Sequence, residues 1–168
     1  MTKAPISADA AAIEIRLSLA PEWPKADAVA VLAKTAAAAA YALPELSEDV
    51  GVVAGELVEN AVKYGDWSGT ATLTFSFLSD DDQLEIEVSS PCDVTSPHYQ
   101  RLLASLRTIE RANPSDPYLE RFSQIARDRK ERGGLGLLRL VHVANCRLSA
   151  RLAEDNRLHV RARMTISR

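Results

Sequence analysis

ELVENAVKYGD, residues 56–66, is the stretch on which the reading of this chain turns. At roughly 100° per residue, Glu56, Asn60 and Lys63 fall within an arc of about 60°, with Glu59 beside it. Val50, Val53, Ala54, Leu57 and Ala61 make a separate core face, so one helix is expected to carry both a buried side and a polar stripe. Pro44 and Ser47 mark its beginning. Ser47 reads as the N-cap, and Glu48 and Asp49 suit the first turn, where acidic groups face the positive end of the helix dipole. Gly65 is expected to close the helix in the usual C-terminal way, which places the stripe in the last three turns.

Working outward, Ile13, Ile15, Leu17 and Leu19 alternate with Glu14, Arg16 and Ser18, the period of a half-buried strand. Pro21 and Pro24 end it. Residues 25–42, KADAVAVLAKTAAAAAYA, are dominated by the best helix former and predict a helix packed through Val29, Leu32 and Ala36, with Ala39 and Ala40 marking a close helix contact. Beyond the opening stretch, TATLTFSFL and QLEIEVSS alternate on either side of an acidic SDDD turn and predict a hairpin that stops at Pro91 and Pro97. Residues 98–131 are polar and basic, with short helical patterns at Tyr99–Leu106 and Tyr118–Ile125 around the breaker ANPSDP. GGLGLLRLVHVAN reads as a glycine loop entering an apolar helix, and CRLSARL, the turn AEDN and RLHVRARMTI read as a second hairpin.

This order of elements suggests an α+β or α/β sandwich with helices on one face of a mainly antiparallel sheet, not a doubly wound parallel fold. With 168 residues, a single domain over 12–168 is expected after a loose, aperiodic tail at 1–11. Hydrophobic residues make up 46% and charged residues 26%, the balance of a soluble globular protein. No apolar run approaches the ~20 residues that span a bilayer. The start, MTKAPISADAAAIEI, lacks the continuous apolar stretch of a secretory signal, so a cytoplasmic protein without membrane association is expected.

Cys92 and Cys146 lack the paired spacing of a zinc or redox motif, and His98, His142 and His159 are scattered, so a metal site built on them is not expected. Net charge is −3, but residues 1–100 hold 5 basic and 16 acidic side chains while residues 101–168 hold 15 and 7. Such asymmetry fits a charged partner or, more simply, two halves that pack so that their fields cancel. Direct nucleic-acid binding is not expected, because the basic residues are not interleaved with aromatics.

E-L-V-E-N-A-V-K-Y-G and the loop R-G-G-L-G-L together resemble two sequence boxes of the GHKL superfamily, whose members share the Bergerat nucleotide fold and include gyrase-type topoisomerases, sensor histidine kinases and anti-sigma-factor serine kinases. The boxes stand in the family's order, about 70 residues apart, and the resemblance covers roughly residues 12–167. Among branches the chain looks most like the small stand-alone anti-sigma-factor serine/threonine kinases, with biofilm regulators of the SiaB type as a closer relation. No helical hairpin bearing a phosphoacceptor histidine precedes the first box, as a sensor kinase would need.

The resemblance implies a Bergerat-type, histidine-kinase-like ATPase fold and ATP with Mg²⁺ as cofactors. Asn60 matches the asparagine whose side-chain oxygen helps hold Mg²⁺, a hard cation that prefers oxygen ligands. Glu56, one turn earlier, matches the general base, acting on water in the ATPases or on a partner's hydroxyl in the kinases. Lys63 resembles the basic residue near the phosphates, and Glu59 stands where the family is often acidic. Gly133, Gly134 and Gly136 match the loop whose backbone N–H groups approach the phosphates at a helix start. Read without the resemblance, Glu56, Glu59 and Lys63 make a solvated helix face with Glu59 and Lys63 as an i,i+4 pair of about 0.3–0.5 kcal/mol.

Residues 93–131 occupy the place of the family's mobile lid, where Arg127, Arg129, Lys130 and Arg132 would reach phosphate or simply keep an exposed insert soluble. One box departs from the pattern. The family's D-x-G-x-G, whose aspartate accepts a hydrogen bond from the adenine amino group, is replaced by VSSPCDVTSP. Ser90 falls at the aspartate and Cys92 at the first glycine, with Asp93 too late unless the backbone bulges. Loss of a carboxylate hydrogen bond of ~1.5–3 kcal/mol would weaken ATP binding by about ten- to a hundredfold unless Ser90 acts through water or Asp93 reaches inward.

Two functions follow as expectations. In one, the chain is a cytoplasmic ATP-dependent anti-sigma-factor or partner-switching serine/threonine kinase whose partner is an anti-sigma-factor-antagonist-like protein, and which forms a homodimer as the resemblance suggests. In the other, a degenerate base site leaves a GHKL scaffold that regulates by holding a sigma factor or antagonist, without catalysis.

Overall fold

A computed structural model of the chain describes residues 12–69, 71–111, 137, 140, 141 and 144–166. The elements run β1 (Glu14–Leu19), α1 (Trp23–Tyr41), α2 (Pro44–Tyr64), β2 (Leu73–Ser79), β3 (Gln83–Pro91), α3 (Pro97–Arg111), β4 (Arg147–Leu152) and β5 (Arg157–Thr165). The five strands form one sheet in the order β1-β2-β3-β5-β4, and every neighbouring pair is antiparallel. This is the α+β two-layer architecture the element order predicts, with the breaker ANPSDP, the pattern at 118–125, the basic residues Arg127 to Arg132 and the three glycines lying outside the described residues.

Alternation along the strands makes the layers. Leu17, Phe75 and Val88 stand in register, as do Ile15, Phe77 and Ile86, and then Ala162 and Leu148. These side chains line one face and join the core with Ala33 and Ala37 of α1 and Val53, Leu57 and Val58 of α2. Phe75 and Phe77 are fully buried, and each side chain of this size contributes about 1.5–3 kcal/mol on leaving water. Leu137, Leu140 and Val141 are helical, and with Ala144 they belong to the same core.

Several local expectations give way to stronger constraints. Ser47 is not the N-cap: α2 begins at Pro44, whose missing N–H and preset φ suit a first turn, and Leu43 takes the cap position. The Ser47 hydroxyl, now inside the helix, donates to the Leu43 carbonyl at 2.9 Å. Leu32 is not core but 36% exposed, since α1 turns Ala26, Val29, Ala33, Ala36 and Ala37 inward. Nor do Ala39 and Ala40 mark the close contact. A Cβ added at Gly51 would lie 3.2 Å from the Ala30 carbonyl oxygen and from Lys34 Cβ, and one at Gly55 would lie 3.3 Å from Ala30 Cβ, so the helices approach there.

Gly65 does close α2, but in extended geometry, with φ −66° and ψ 153° rather than the left-handed form. Space, not backbone freedom, selects glycine. An added Cβ would meet Trp67 ring atoms at 2.6 Å and the Ala61 carbonyl oxygen at 2.7 Å. Trp67 is held over this end by its Nε1–H donating to the Val62 carbonyl at 2.9 Å.

The other face of the sheet is polar, and there the acidic and basic halves of the chain meet. Glu85 stands opposite Arg163, and Glu87 opposite Arg161, across the β3–β5 pair. Glu87 accepts from Arg161 Nη2 at 2.7 Å and Nε at 2.9 Å and lies 2.9 Å from His159 Nδ1, while Arg163 Nη2 donates to Glu85 at 2.8 Å. Arg157 of β5 fastens β3 and the residue before β2: its Nε donates to Ser89 Oγ at 3.1 Å and its Nη2 to the Ser89 and Thr72 carbonyls at 3.0 and 2.9 Å. Burial pushes the Glu87 carboxyl upward, but hydrogen bonds from His159 and Arg161 and their charge outweigh it and hold it below the ordinary value of 4.5. In turn the bond to Glu87 raises Arg161 further.

Two outcomes follow. Because the folded carboxyl of Glu87 is the stronger acid, its stabilisation is fully present above pH 4.5 and is lost as pH falls through the lowered folded value. Urea unfolding across this range should therefore show a shallower acid decline for Glu87→Gln than for the wild type, from a lower starting stability at neutral pH. Gly65→Ala should cost about 1–3 kcal/mol in the same measurement, because the methyl group meets a backbone oxygen that cannot swing away.

Candidate functional site

The last turns of α2 carry the stripe. Glu56 and Asn60 are half-buried, and Glu59 and Lys63 are exposed. Helix periodicity alone sets Glu56 and Asn60 one turn apart, but a hydrogen bond fixes how the amide sits. Asn60 Nδ2 donates to the Glu56 carbonyl at 2.7 Å, which leaves Oδ1 as the lone-pair end of the side chain. An oxygen donor of that kind beside a carboxylate suits a hard cation. Among the described residues no three His, Cys, Asp or Glu side chains cluster to hold a metal by themselves.

Asp49 extends the stripe toward the start of the helix. Seven residues before Glu56, it returns to within about 20° of the same side. Burial, then the charge of Glu45, raises its carboxyl above the ordinary carboxylate value. Burial pushes the Cys146 thiol up to about 12, and the charge of Asp49 adds to it. The i−7 spacing from Glu56 was the available signal for including Asp49; reading it only as a first-turn acid hid it.

The end of the stripe is tied to the end of β3. Asp66 N–H donates to the Pro91 carbonyl at 2.9 Å, one residue from Ser90. Ser90 is 6% exposed, pairs with Leu158, and shares the helix-facing parity of Ile86 and Val88. β3 runs on to Pro91, and Cys92 N–H donates to the Asn156 carbonyl at 3.0 Å. Asp93 does not reach inward. Its exposed carboxylate accepts from Thr95 N–H at 2.9 Å and Thr95 Oγ1–H at 2.6 Å, and these bonds hold it below the usual carboxylate range. Burial raises the Cys92 thiol, and nearby Asp93 and Asp66 raise it further, so this thiol stays protonated at neutral pH.

α3 closes the corner. Lys63 Nζ lies 4.8 Å from the Tyr64 ring centroid, and the His98 ring stands 5.5 Å from the same ring, tilted by 35°. Beneath α3, Cys92, Tyr99 and Leu158 form a small second core with Val94, Leu102 and Leu103 against it. The structure thus sets Glu56, Asn60 and Lys63 on the last turns of α2 and ties the end of that helix to the end of β3, the strand that carries Ser90. Gly133, Gly134 and Gly136 lie outside the described residues; Leu137, which follows them, is 1% exposed and shares the core with Leu57 and Ala61.

No helix among the described residues is long and apolar enough to cross a membrane. Neither a protein-family model nor a curated protein matches the sequence. Fifteen chains of solved structures match the fold. One, from the crystal structure of the SiaB–SiaC complex of Pseudomonas aeruginosa, aligns with a TM-score of 0.68 at 19% identity, covering 89% of this chain and 88% of that one.

Proposed function

We propose that this chain is a regulatory protein of the GHKL type that binds Mg²⁺–ATP along α2 and phosphorylates a serine or threonine of a protein partner, an anti-sigma-factor-antagonist-like protein. The observation that carries the reading is the pairing of Glu56 and Asn60, one turn apart, with the amide already committed through Nδ2 so that Oδ1 is left for a cation. The likeness to a chain solved within a protein–protein complex supports a partner that is itself a protein.

The donor set fits the phosphate side of such a ligand. Asn60 would hold Mg²⁺ through Oδ1, Lys63 would face the phosphates, and the backbone N–H groups of Gly133, Gly134 and Gly136 would cradle them. Bound Mg²⁺–ATP supplies the transferable phosphoryl group with its charge neutralised. Glu56 would be the general base, taking up the proton given off by the partner's hydroxyl as the phosphoryl group passes to it and the nucleoside diphosphate leaves.

A second reading has its own support on the base side. Asp93 is engaged by Thr95 on an exposed turn, so recognition of the adenine would rest on Ser90, and a hydroxyl would bind the base more weakly than a carboxylate. In that reading the chain is a scaffold that regulates by protein contact alone.

Thermal unfolding in Mg²⁺–ATP separates the two. A ligand at 100 times its Kd adds about 2.7 kcal/mol to the folded state, so the kinase reading expects a clear rise in Tm at millimolar nucleotide. No rise rejects it in favour of the scaffold. Given a rise, Glu56→Ala is expected to keep binding and abolish phosphotransfer, and Asn60→Ala to lose the Mg²⁺-dependent part of the shift. Undiminished transfer by Glu56→Ala removes its assignment as base.

A further inference from the structure

We propose that the β4 edge of the sheet is a docking site for an extended acidic segment of a partner protein, which adds as a further strand and sets carboxylates opposite Arg147 and Arg151. This does not rest on the nucleotide reading and holds whether or not ATP binds. Among the described residues β4 has β5 as its one strand neighbour, so a row of its backbone N–H and C=O groups faces outward. Charge along this edge is unbalanced. The register sets Arg147 directly opposite Arg163, and Arg151 directly opposite His159, basic beside basic on the open face of the sheet. Like charges in directly opposed positions destabilise a strand pair, so the sheet's own stability does not account for them. Glu85 and Glu87 give no relief: both stand on β3, on the far side of β5, and are engaged by Arg161, Arg163 and His159. Arg147 and Arg151 are exposed and form no ion pair among the described residues.

The edge specifies the chemistry of its occupant. Pairing with outward backbone groups needs an extended peptide, which a lipid or a nucleic acid does not supply. Arg147 and Arg151 are four residues apart on one face, so the added strand carries acidic residues at the same spacing. On the other face Leu152 is 40% exposed, beyond the buried Leu148, and the alternate residues of the added strand are therefore apolar. A second copy of this chain does not fit. Two β4 edges paired about Ser149 across a two-fold axis would set Arg147 opposite Arg151 of the second copy, once at each end. The other edge, β1, pairs its Arg16 with its own Glu14 at 2.7 Å and so offers no net charge to meet them. Arginines on an open edge thus turn away copies of the same sheet and admit a strand of opposite charge.

Calorimetric titration with an end-blocked nonapeptide tests this, one that alternates valine with polar residues and carries two glutamates four positions apart. Binding is expected, with the amide shifts seen by heteronuclear NMR centred on β4. Arg147→Glu and Arg151→Glu together should weaken binding about tenfold, because two charge pairs turn from attraction to repulsion, and should create affinity for the same peptide bearing lysines in place of its glutamates. Two adjacent prolines at the peptide's centre, which remove a backbone donor from either side of the strand, should abolish binding. The double variant should unfold at or above the wild-type temperature, since each glutamate replaces a like charge opposite Arg163 or His159. No binding by the wild type, shifts away from β4, or affinity indifferent to the charge reversal or to the prolines would overturn the proposal. So would a lower Tm for the double variant, which would mean that the arginines serve the fold, or inorganic polyphosphate binding at β4 as tightly as the peptide, which would mean a general anion surface.

Discussion

The hold that the end of α2 has on the sheet is the constraint from which the rest of this structure follows. α2 buries Val50, Val53, Ala54, Leu57 and Val58 completely or nearly so, and this apolar side fixes its rotation about its own axis. Rotation decides where the stripe points. What sets the position of the helix end is a small group of directional contacts: Asp66 N–H to the Pro91 carbonyl, Trp67 over the last turn, and a glycine at 65 small enough to allow that approach. Hydrophobic burial supplies the larger energy but no direction, so hydrogen bonds and steric fit choose among the arrangements that burial permits.

The sheet divides its work between two faces. Its helix side is apolar and carries the core, while its open side balances the charges of the two halves of the chain through Glu85, Glu87, Arg161 and Arg163. Exposed pairs of this kind are worth only about 0.2–1 kcal/mol each, but Glu87, with 19% of its side chain exposed, is served by two donors and belongs to a network. The candidate site lies on the helix side, where α2 meets the end of β3 and the start of α3.

Both hairpins and the two long helices were legible in the sequence because each is governed by a short-range period. Phe75 and Phe77, or Leu84 and Ile86, state which way they face by alternation, and the polar stripe on α2 follows from residues three and four apart. The departures came where two local signals competed. Pro44 and Ser47 both announce a helix start, and the proline, which needs no partner for an absent N–H, took it. Leu32 is turned outward because α1 packs closely on α2 at Gly51 and Gly55 through Ala30 and the Lys34 Cβ, and buries the small side chains Ala26, Ala33 and Ala37.

At the candidate site the sequence by itself determined that Glu56, Asn60 and Lys63 share one side of a helix, since 3.6 residues per turn leave no alternative. Tertiary structure alone decided that Ser90 stays buried near the end of that helix and that the His98 ring lies against Tyr64. The reason is range: covalent periodicity fixes direction within an element, but contacts between residues 34 positions apart, as Tyr64 and His98 are, depend on how whole elements dock, and docking is set by the core they share.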